Sequence, residues 1–180
     1  MSLDGVKALT FDTGGTILDW HTGFSTALAE LGKAHGVEGD WGMMANDIRR
    51  GSLGRMLRLG EHEQPAYNFD GAHRASADEV LDANGLAAAT EEERHKLSWD
   101  APHNFQCWSD FPPVLPQLRD KYICASFTIL SFRIIIDTAR ANGLSWDAVI
   151  SCEAIGKYKI LPEAYLGAAK FLQLDPSEIC

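Results

Sequence analysis

Basic residues are scarce: 16 Lys and Arg stand against 25 Asp and Glu, a formal net charge of −9. Such a chain is repelled by phosphate backbones and anionic lipid, which excludes nucleic acid and membrane surfaces as general partners but leaves room for a local pocket that binds a small anion. Cysteine is sparse as well. Cys107, Cys124, Cys152 and Cys180 are widely spaced and form no C-x-x-C pair, which removes the common thiol-based metal and redox motifs. The N-terminus lacks the charged-then-apolar pattern of a secretory signal, so the thiols are expected to be reduced and the chain cytoplasmic. No apolar run approaches the ~20 residues that span a bilayer. The six histidines form no ligand cluster, and no metal site is expected. Internal repeats and low-complexity tracts are absent.

What is present is core-forming material. With 180 residues, 46% of them hydrophobic, the chain can build one domain with a real core and a smaller appended module. The apolar run "VKALTF" (6–11) is short enough to be a buried strand, and it stops at Asp12. From Thr22 to about Phe105 the spacing is helical, beginning with "FSTALAELGKAHG", where Phe24, Ala27, Leu28 and Leu31 share a face and Gly36 suits a C-terminal stop. Further helical stretches are predicted around 43–59, 70–84 and 90–99, the last with Thr90 as its N-cap. A second strand is expected in "YICASFTIL", ending at Ser131, followed by a helix closed by Gly143, a third strand in "AVISC" and a helix opened by Pro162. Strands alternating with helices imply a parallel α/β sheet with right-handed crossovers and a helical insertion after strand 1.

In an open parallel sheet, ligands bind beyond the carboxyl ends of the strands, which is where "FDTGGT" puts Asp12. Gly14 and Gly15 allow a sharp turn that exposes backbone N–H groups beside that carboxylate. Read alone, Asp12 caps a turn, Ser131 is a strand-end turn residue, and Lys157 and Lys159 are solvated charges. Their coincidence at three strand ends is what makes an anion-handling site. "HNFQCW" offers His103 and Cys107 as a nucleophile pair, but a packed thiol in an apolar junction is the simpler reading.

These residues resemble the haloacid dehalogenase superfamily, and within it the type II 2-haloacid dehalogenases. The pattern D-x-x-G-T-x-L stands as "TFDTGGTIL", the strand-2 Ser/Thr motif as "TILS", and the lysine motif as "KYKILPEAY". The resemblance implies a Rossmann-like core of residues 1–20 and 110–180 with a helical cap of residues 21–109. It implies Asp12 as nucleophile, Thr16 and Ser131 as groups that position carboxylates, and Lys159, which matches the start of the family's K-P-D-P-x-x-Y, as the neutralising cation. Tyr165 would lie behind the site, Trp20 would wall the pocket, and Arg49, with Arg50 second, would receive the halide. The implied reaction is hydrolysis of a short 2-haloalkanoic acid through an aspartyl ester, with a small anionic substrate and neither metal nor organic cofactor. A homodimer is compatible with it.

Three departures from the family pattern bear on this. Gly14 stands where phosphatases of the superfamily carry a second Asp and dehalogenases an aromatic residue, so general acid work is missing and the halide end of the pocket is less apolar. Phe132 follows Ser131 where Asn-Gly is usual, which alters a substrate-binding loop. At "LDPSEIC" a fourth strand is expected to begin, with the core and a last acidic motif continuing past Cys180; without them the edge of strand 1 would lie unpaired. The alternatives are a Mg²⁺-dependent phosphatase or phosphonatase and a non-catalytic relative that binds a small acid or a protein. The motif alignment itself is testable: Lys159→Ala should cost far more activity than Lys157→Ala, whereas equal losses in turnover would mean that the lysine motif is misaligned.

Overall fold

The computed structural model of the protein describes residues 3–57 and 68–180. Strand β1 (Ala8–Phe11) is followed by a helical segment in which α1 (Trp20–His35), α2 (Trp41–Met56) and α3 (Phe69–Ala83) are the long elements. Then α4 (Glu91–His95) runs through a π-helical turn (Lys96–Asp100) into α5 (Ala101–His103), and a short α6 (Leu115–Arg119) leads back to the sheet. Strand β2 (Ile123–Thr128), α7 (Phe132–Ala141), β3 (Ala148–Ser151), α8 (Cys152–Ile155) and α9 (Pro162–Leu172) complete the alternation. The last residues, 58 and 59, of the helix expected over 43–59 lie outside the described residues.

Local chemistry explains the boundaries. Asp19, Asp40 and Asn68 accept backbone N–H groups at the starts of α1, α2 and α3, Thr90 and Glu93 form a reciprocal capping box on α4, and Gly36 ends α1 in the left-handed region at φ 66°. Strand β2 ends at Thr128 rather than Ser131. The reason is that Thr128 Oγ1 accepts the Leu130 N–H at 3.1 Å, turning the chain before the apolar run is over. Ser131 is instead the N-cap of α7, its hydroxyl accepting from Ile134 N at 3.2 Å.

The sheet is parallel, in the order β1-β2-β3, with Phe11 opposite Ser126 and Thr128 opposite Ser151. On the other edge of β1, where a fourth strand was expected to begin, Lys7 N donates to Glu178 O (2.8 Å), Cys180 N to Ala8 O (3.0 Å) and Thr10 N to Cys180 O (2.8 Å). Strand β1 is therefore hydrogen-bonded on both sides. Phe24, Leu28, Met44, Ile48, Phe69 and Leu81 fill the interior of the helical segment, while Ala125, Phe127, Ile134 and Ile150 pack around the sheet.

The helical segment leaves and rejoins the sheet through two linkers bonded to each other. Asp19 N donates to Gln106 O (2.8 Å) and Trp108 N to Ile17 O (2.9 Å). Asn142, at the end of α7, holds the returning linker through Phe105 O and Cys107 N. A further tie is His103, which is 3% exposed and hydrogen-bonded through Nδ1 to Asp137 of α7 (2.7 Å) and through Nε2 to Asp70 of α3 (3.2 Å). Burial opposes protonation of this imidazole, but the bonds to the two carboxylates outweigh it and raise its pKa above the ordinary 6.5.

Removing His103 would leave Asp70 without this hydrogen bond, while Asp137 keeps Arg133, so His103→Ala is expected to cost about 1–3 kcal/mol. A raised folded pKa contributes stability that is fully present below the unfolded value and lost as pH rises through the folded one. The difference in thermal midpoint between wild type and His103→Ala should therefore be largest below pH 6.5 and shrink as the solution is made alkaline, which thermal unfolding across that range measures.

Candidate active site

Asp12 follows β1 directly, at the carboxyl end of a strand hydrogen-bonded on both edges. The turn beyond it is tight: Ile17 N and Leu18 N both donate to Thr13 O at 2.9 Å, and Gly15 N donates to Leu18 O at 3.0 Å. Gly15 adopts φ +102°, and a Cβ there would also sit 3.0 Å from the Trp20 indole nitrogen. Ile17 and Leu18 are each 2% exposed. The turn thus re-enters the core at once, which accounts for the apolar residues after the glycines. Beneath it Thr13 Oγ1 donates to Thr128 Oγ1 at 2.7 Å, tying the turn to the end of β2.

The Asp12 carboxylate is held at both oxygens. Thr16 Oγ1 donates to Oδ2 at 2.9 Å and Lys159 Nζ to Oδ1 at 3.2 Å. The same ammonium donates to the Phe127 carbonyl and lies 4.3 Å from the centre of the Phe127 ring. Its side chain is 14% exposed, against 47% for Asp12. Lys157 is exposed. Tyr165 packs edge-to-face on Phe127 at 5.3 Å, behind the ring that carries Lys159, and remains half exposed.

Arg49 comes down from α2. Its Nη2 donates to Gly14 O at 2.9 Å, and its guanidinium lies 5.4 Å from the Trp20 ring centre. Burial draws its pKa below the ordinary value, and the Asp12 carboxylate opposes that shift. Arg50 points elsewhere, to Asp47 at 2.5 Å, and is largely exposed. Both arginines line an outer cleft of about 730 Å³ shared with Trp20, Asp40 and Asn46. A separate, mostly apolar cavity of about 630 Å³ between α1 and the π-helical turn contains none of the residues around Asp12.

Ser131 is buried, occupied in capping α7, and no hydrogen bond joins it to Asp12 among the described residues. Phe132 offers its backbone N–H not to an open pocket but to Glu153 Oε2 at 3.0 Å. Neither Glu153 nor Asn68, which donates to its other oxygen at 2.9 Å, carries a sequence signal. His73 lacked one too. It is 1% exposed between Phe24 and Phe69, Nδ1 has no hydrogen-bond partner among the described residues, and burial pushes its pKa down to about 3. A neutral imidazole there adds no second positive charge near Arg49. Among the described residues no group of three or more His, Cys, Asp and Glu side chains converges on a point that could hold a metal ion, and no helix is long and apolar enough to cross a membrane.

No protein-family model matches the sequence, and no curated protein matches it. Solved structures do. The crystal structure of the defluorinating L-2-haloacid dehalogenase Rha0230 superposes with a TM-score of 0.87 at 32% sequence identity, covering 97% of this chain and 71% of that one. The chain belongs to the haloacid dehalogenase superfamily. The L-2-haloacid dehalogenase PA0810 is similar over 97% of this chain and 74% of its own, with a TM-score of 0.86 and 26% identity. The L-2-haloacid dehalogenase of Xanthobacter autotrophicus shares the fold, with a TM-score of 0.81 at 21% identity over 97% of this chain and 68% of that one. The α/β fold, the parallel sheet and the resemblance to 2-haloacid dehalogenases read from "TFDTGGTIL" and "KYKILPEAY" thus agree with these neighbours.

Within this superfamily chain, Gly14 has a consequence of its own. A Cβ at this position would meet Leu130 and the Arg49 guanidinium at 3.4–3.5 Å, which is ordinary contact, but anything larger would occupy the guanidinium's own space. Gly14→Ala should leave stability within about 0.5 kcal/mol of wild type, with Arg49 still on the carbonyl. Gly14→Phe should cost about 1–3 kcal/mol through overpacking and displace Arg49. Thermal unfolding and crystal structures of the two variants check both outcomes.

Proposed function

We propose that the protein is a hydrolytic dehalogenase that converts a short 2-haloalkanoic acid to the 2-hydroxy acid through an aspartyl ester. The observation that carries this reading is the Asp12 carboxylate, held between Thr16 Oγ1 and Lys159 Nζ with the Arg49 guanidinium on the neighbouring Gly14 carbonyl. An oxygen of Asp12 attacks the halogen-bearing carbon from the rear, the C–O bond forms, and the C–halogen bond breaks with its electron pair leaving as halide. Thr16 and Lys159 restrain the carboxylate so that little reorientation precedes attack. Arg49, a cation at neutral pH, stabilises charge developing on the departing halide. Water then adds to the ester carbonyl, the bond between the carbonyl carbon and the ester oxygen breaks, one of the water's protons passes to the departing alkoxide and the other to solvent, and Asp12 is regenerated as the carboxylate.

Two further points support the reading. Release of halide needs no proton, whereas release of an alcohol from a phosphate ester gains from a general acid, and Gly14 cannot supply one. The relatives at 32% and 26% identity are L-2-haloacid dehalogenases, one of them defluorinating. In this reading the helices between β1 and β2 are the cap that carries Arg49 over the nucleophile, the substrate is a small anion, and no metal or organic cofactor takes part. Four free thiols suit a reducing cytoplasm.

A single turnover with excess enzyme in ¹⁸O-water is the decisive experiment. The first product hydroxyl should carry an oxygen from Asp12, and the label should appear in the peptide containing Asp12 before it appears in the hydroxy acid. Label in the hydroxy acid with none in the peptide would mean that water attacks carbon directly. Halide release should survive EDTA, whereas its loss with rescue by Mg²⁺, or turnover of a generic phosphate ester instead, would move the protein to the phosphatase branch.

A further inference from the structure

Glu153 connects two helix N-termini. Oε2 accepts the backbone N–H of Phe132 in the first turn of α7 at 3.0 Å, and Oε1 accepts Asn68 Nδ2 at 2.9 Å. Asn68 is itself the N-cap of α3, with Oδ1 accepting from Asp70 N (3.0 Å) and Gly71 N (3.5 Å). The orientation of the amide follows from its partners: backbone donors face its oxygen, and a carboxylate faces its nitrogen. The anion thus sits at the positive end of the core helix α7 and, through the asparagine, at that of the cap helix α3. Its base is fixed in the core, because Ser151 Oγ accepts from Glu153 N (3.2 Å) and donates to Leu130 O (2.7 Å).

Helix α3 in turn carries α2. Ser52 Oγ reaches Ala72 O at 3.4 Å, Arg55 Nη1 donates to Ser76 Oγ at 3.1 Å, and a Cβ on Gly51 would come within 2.8 Å of that hydroxyl, so the two helices are in close backbone contact. Arg49 lies one turn before Ser52 and Leu53 on α2. The paired linkers 17–19 and 106–108 join the cap to the core beside the nucleophile turn. Contacts away from the linkers help to fix the cap's angle, and the first turn of α3 supplies two of them, at Asn68 and, through His103, at Asp70.

We propose that Glu153 is a positioning residue that clasps the cap to the core through Asn68 and thereby sets Arg49 over Asp12. The proposal rests on the dehalogenase reading for its catalytic consequence but not for the clasp. Replacing either partner alone opposes like groups. In Glu153→Gln the new amide oxygen takes the Phe132 N–H and its NH₂ faces the NH₂ of Asn68. In Asn68→Asp the α3 cap survives but a carboxylate faces a carboxylate. The double variant restores complementarity, since the aspartate accepts from the glutamine NH₂.

The test is this cycle, with 2-chloropropionate turnover and backbone hydrogen exchange over 44–52 and 68–75 as readouts. Each single variant should lower kcat by about 10²-fold, the scale of a misplacement of roughly 1 Å, with a smaller change in KM and faster exchange at the start of α3. The double variant should return to within about threefold of wild-type kcat, with protection restored. Single variants with lowered thermal midpoints but wild-type kcat, or a double variant no better than either single one, would overturn the proposal. If wild type releases no halide while exchange follows the predicted cycle, the clasp stands and the dehalogenase reading falls.

Discussion

A lysine ammonium that is 14% exposed must find partners for its charge and its protons. Lys159 finds them at Asp12 Oδ1, past the end of β1, and at the Phe127 carbonyl near the end of β2, while the lysine itself arrives from the loop after β3 and α8. Each partner is presented correctly only if the strands keep their register, with Phe11 beside Ser126 and Thr128 beside Ser151. A slip of one residue would turn the Phe127 carbonyl away and send alternate side chains to the wrong face. The geometry around Asp12 is therefore a property of the sheet, and the hydroxyl pair Thr13–Thr128 holds the first two strand ends together below it.

The same turn leads into the paired linkers. Between Asp12 and the linker residues Ile17 to Asp19 the chain has only the tight loop closed on Thr13 O, so the placement of the helical segment is coupled directly to the nucleophile turn. This makes ties elsewhere consequential. The bridges through Glu153 and His103 both begin in the first turn of α3 and end on α7, and both place charged groups where helix N-termini or opposite charges satisfy them.

What could be read in the sequence was what is local. Caps and turns are encoded within a few residues, so Asp12 at a strand end, the α1 stop at Gly36 and the α9 start at Pro162 are legible locally, whereas Thr16, and Lys159 in preference to Lys157, stand out only through the motif resemblance. Ser131 was assigned to the wrong feature because the apolar residues Ile129 and Leu130 continue the strand pattern after the Thr128 hydroxyl has already turned the chain. The bridges were not visible at all. Asn68 and Glu153 are 85 residues apart, and His103 is more than thirty from each of its carboxylates. Nothing in "HNFQCW" distinguishes a histidine hydrogen-bonded on both sides from one merely packed, because only the folded topology brings Asp70 and Asp137 to it.

Arg49 is the exception to the way this fold treats its charges. Among the described residues of the helical segment, Arg50, Arg55, Arg74 and Arg94 are each paired with Asp or Glu. Arg49 is partly desolvated, yet it makes no ion pair among those residues, resting on a carbonyl and an indole face. A backbone oxygen and a π-face offset only part of the cost of burying a guanidinium. The neighbouring His73, held neutral, at least adds nothing to that cost. A partly desolvated cation whose direct partners are a backbone oxygen and an indole face is unfavourable for folding alone; on the proposed dehalogenase reading an incoming anion would complete the arrangement, and the absence of a side chain at Gly14 leaves the guanidinium its space.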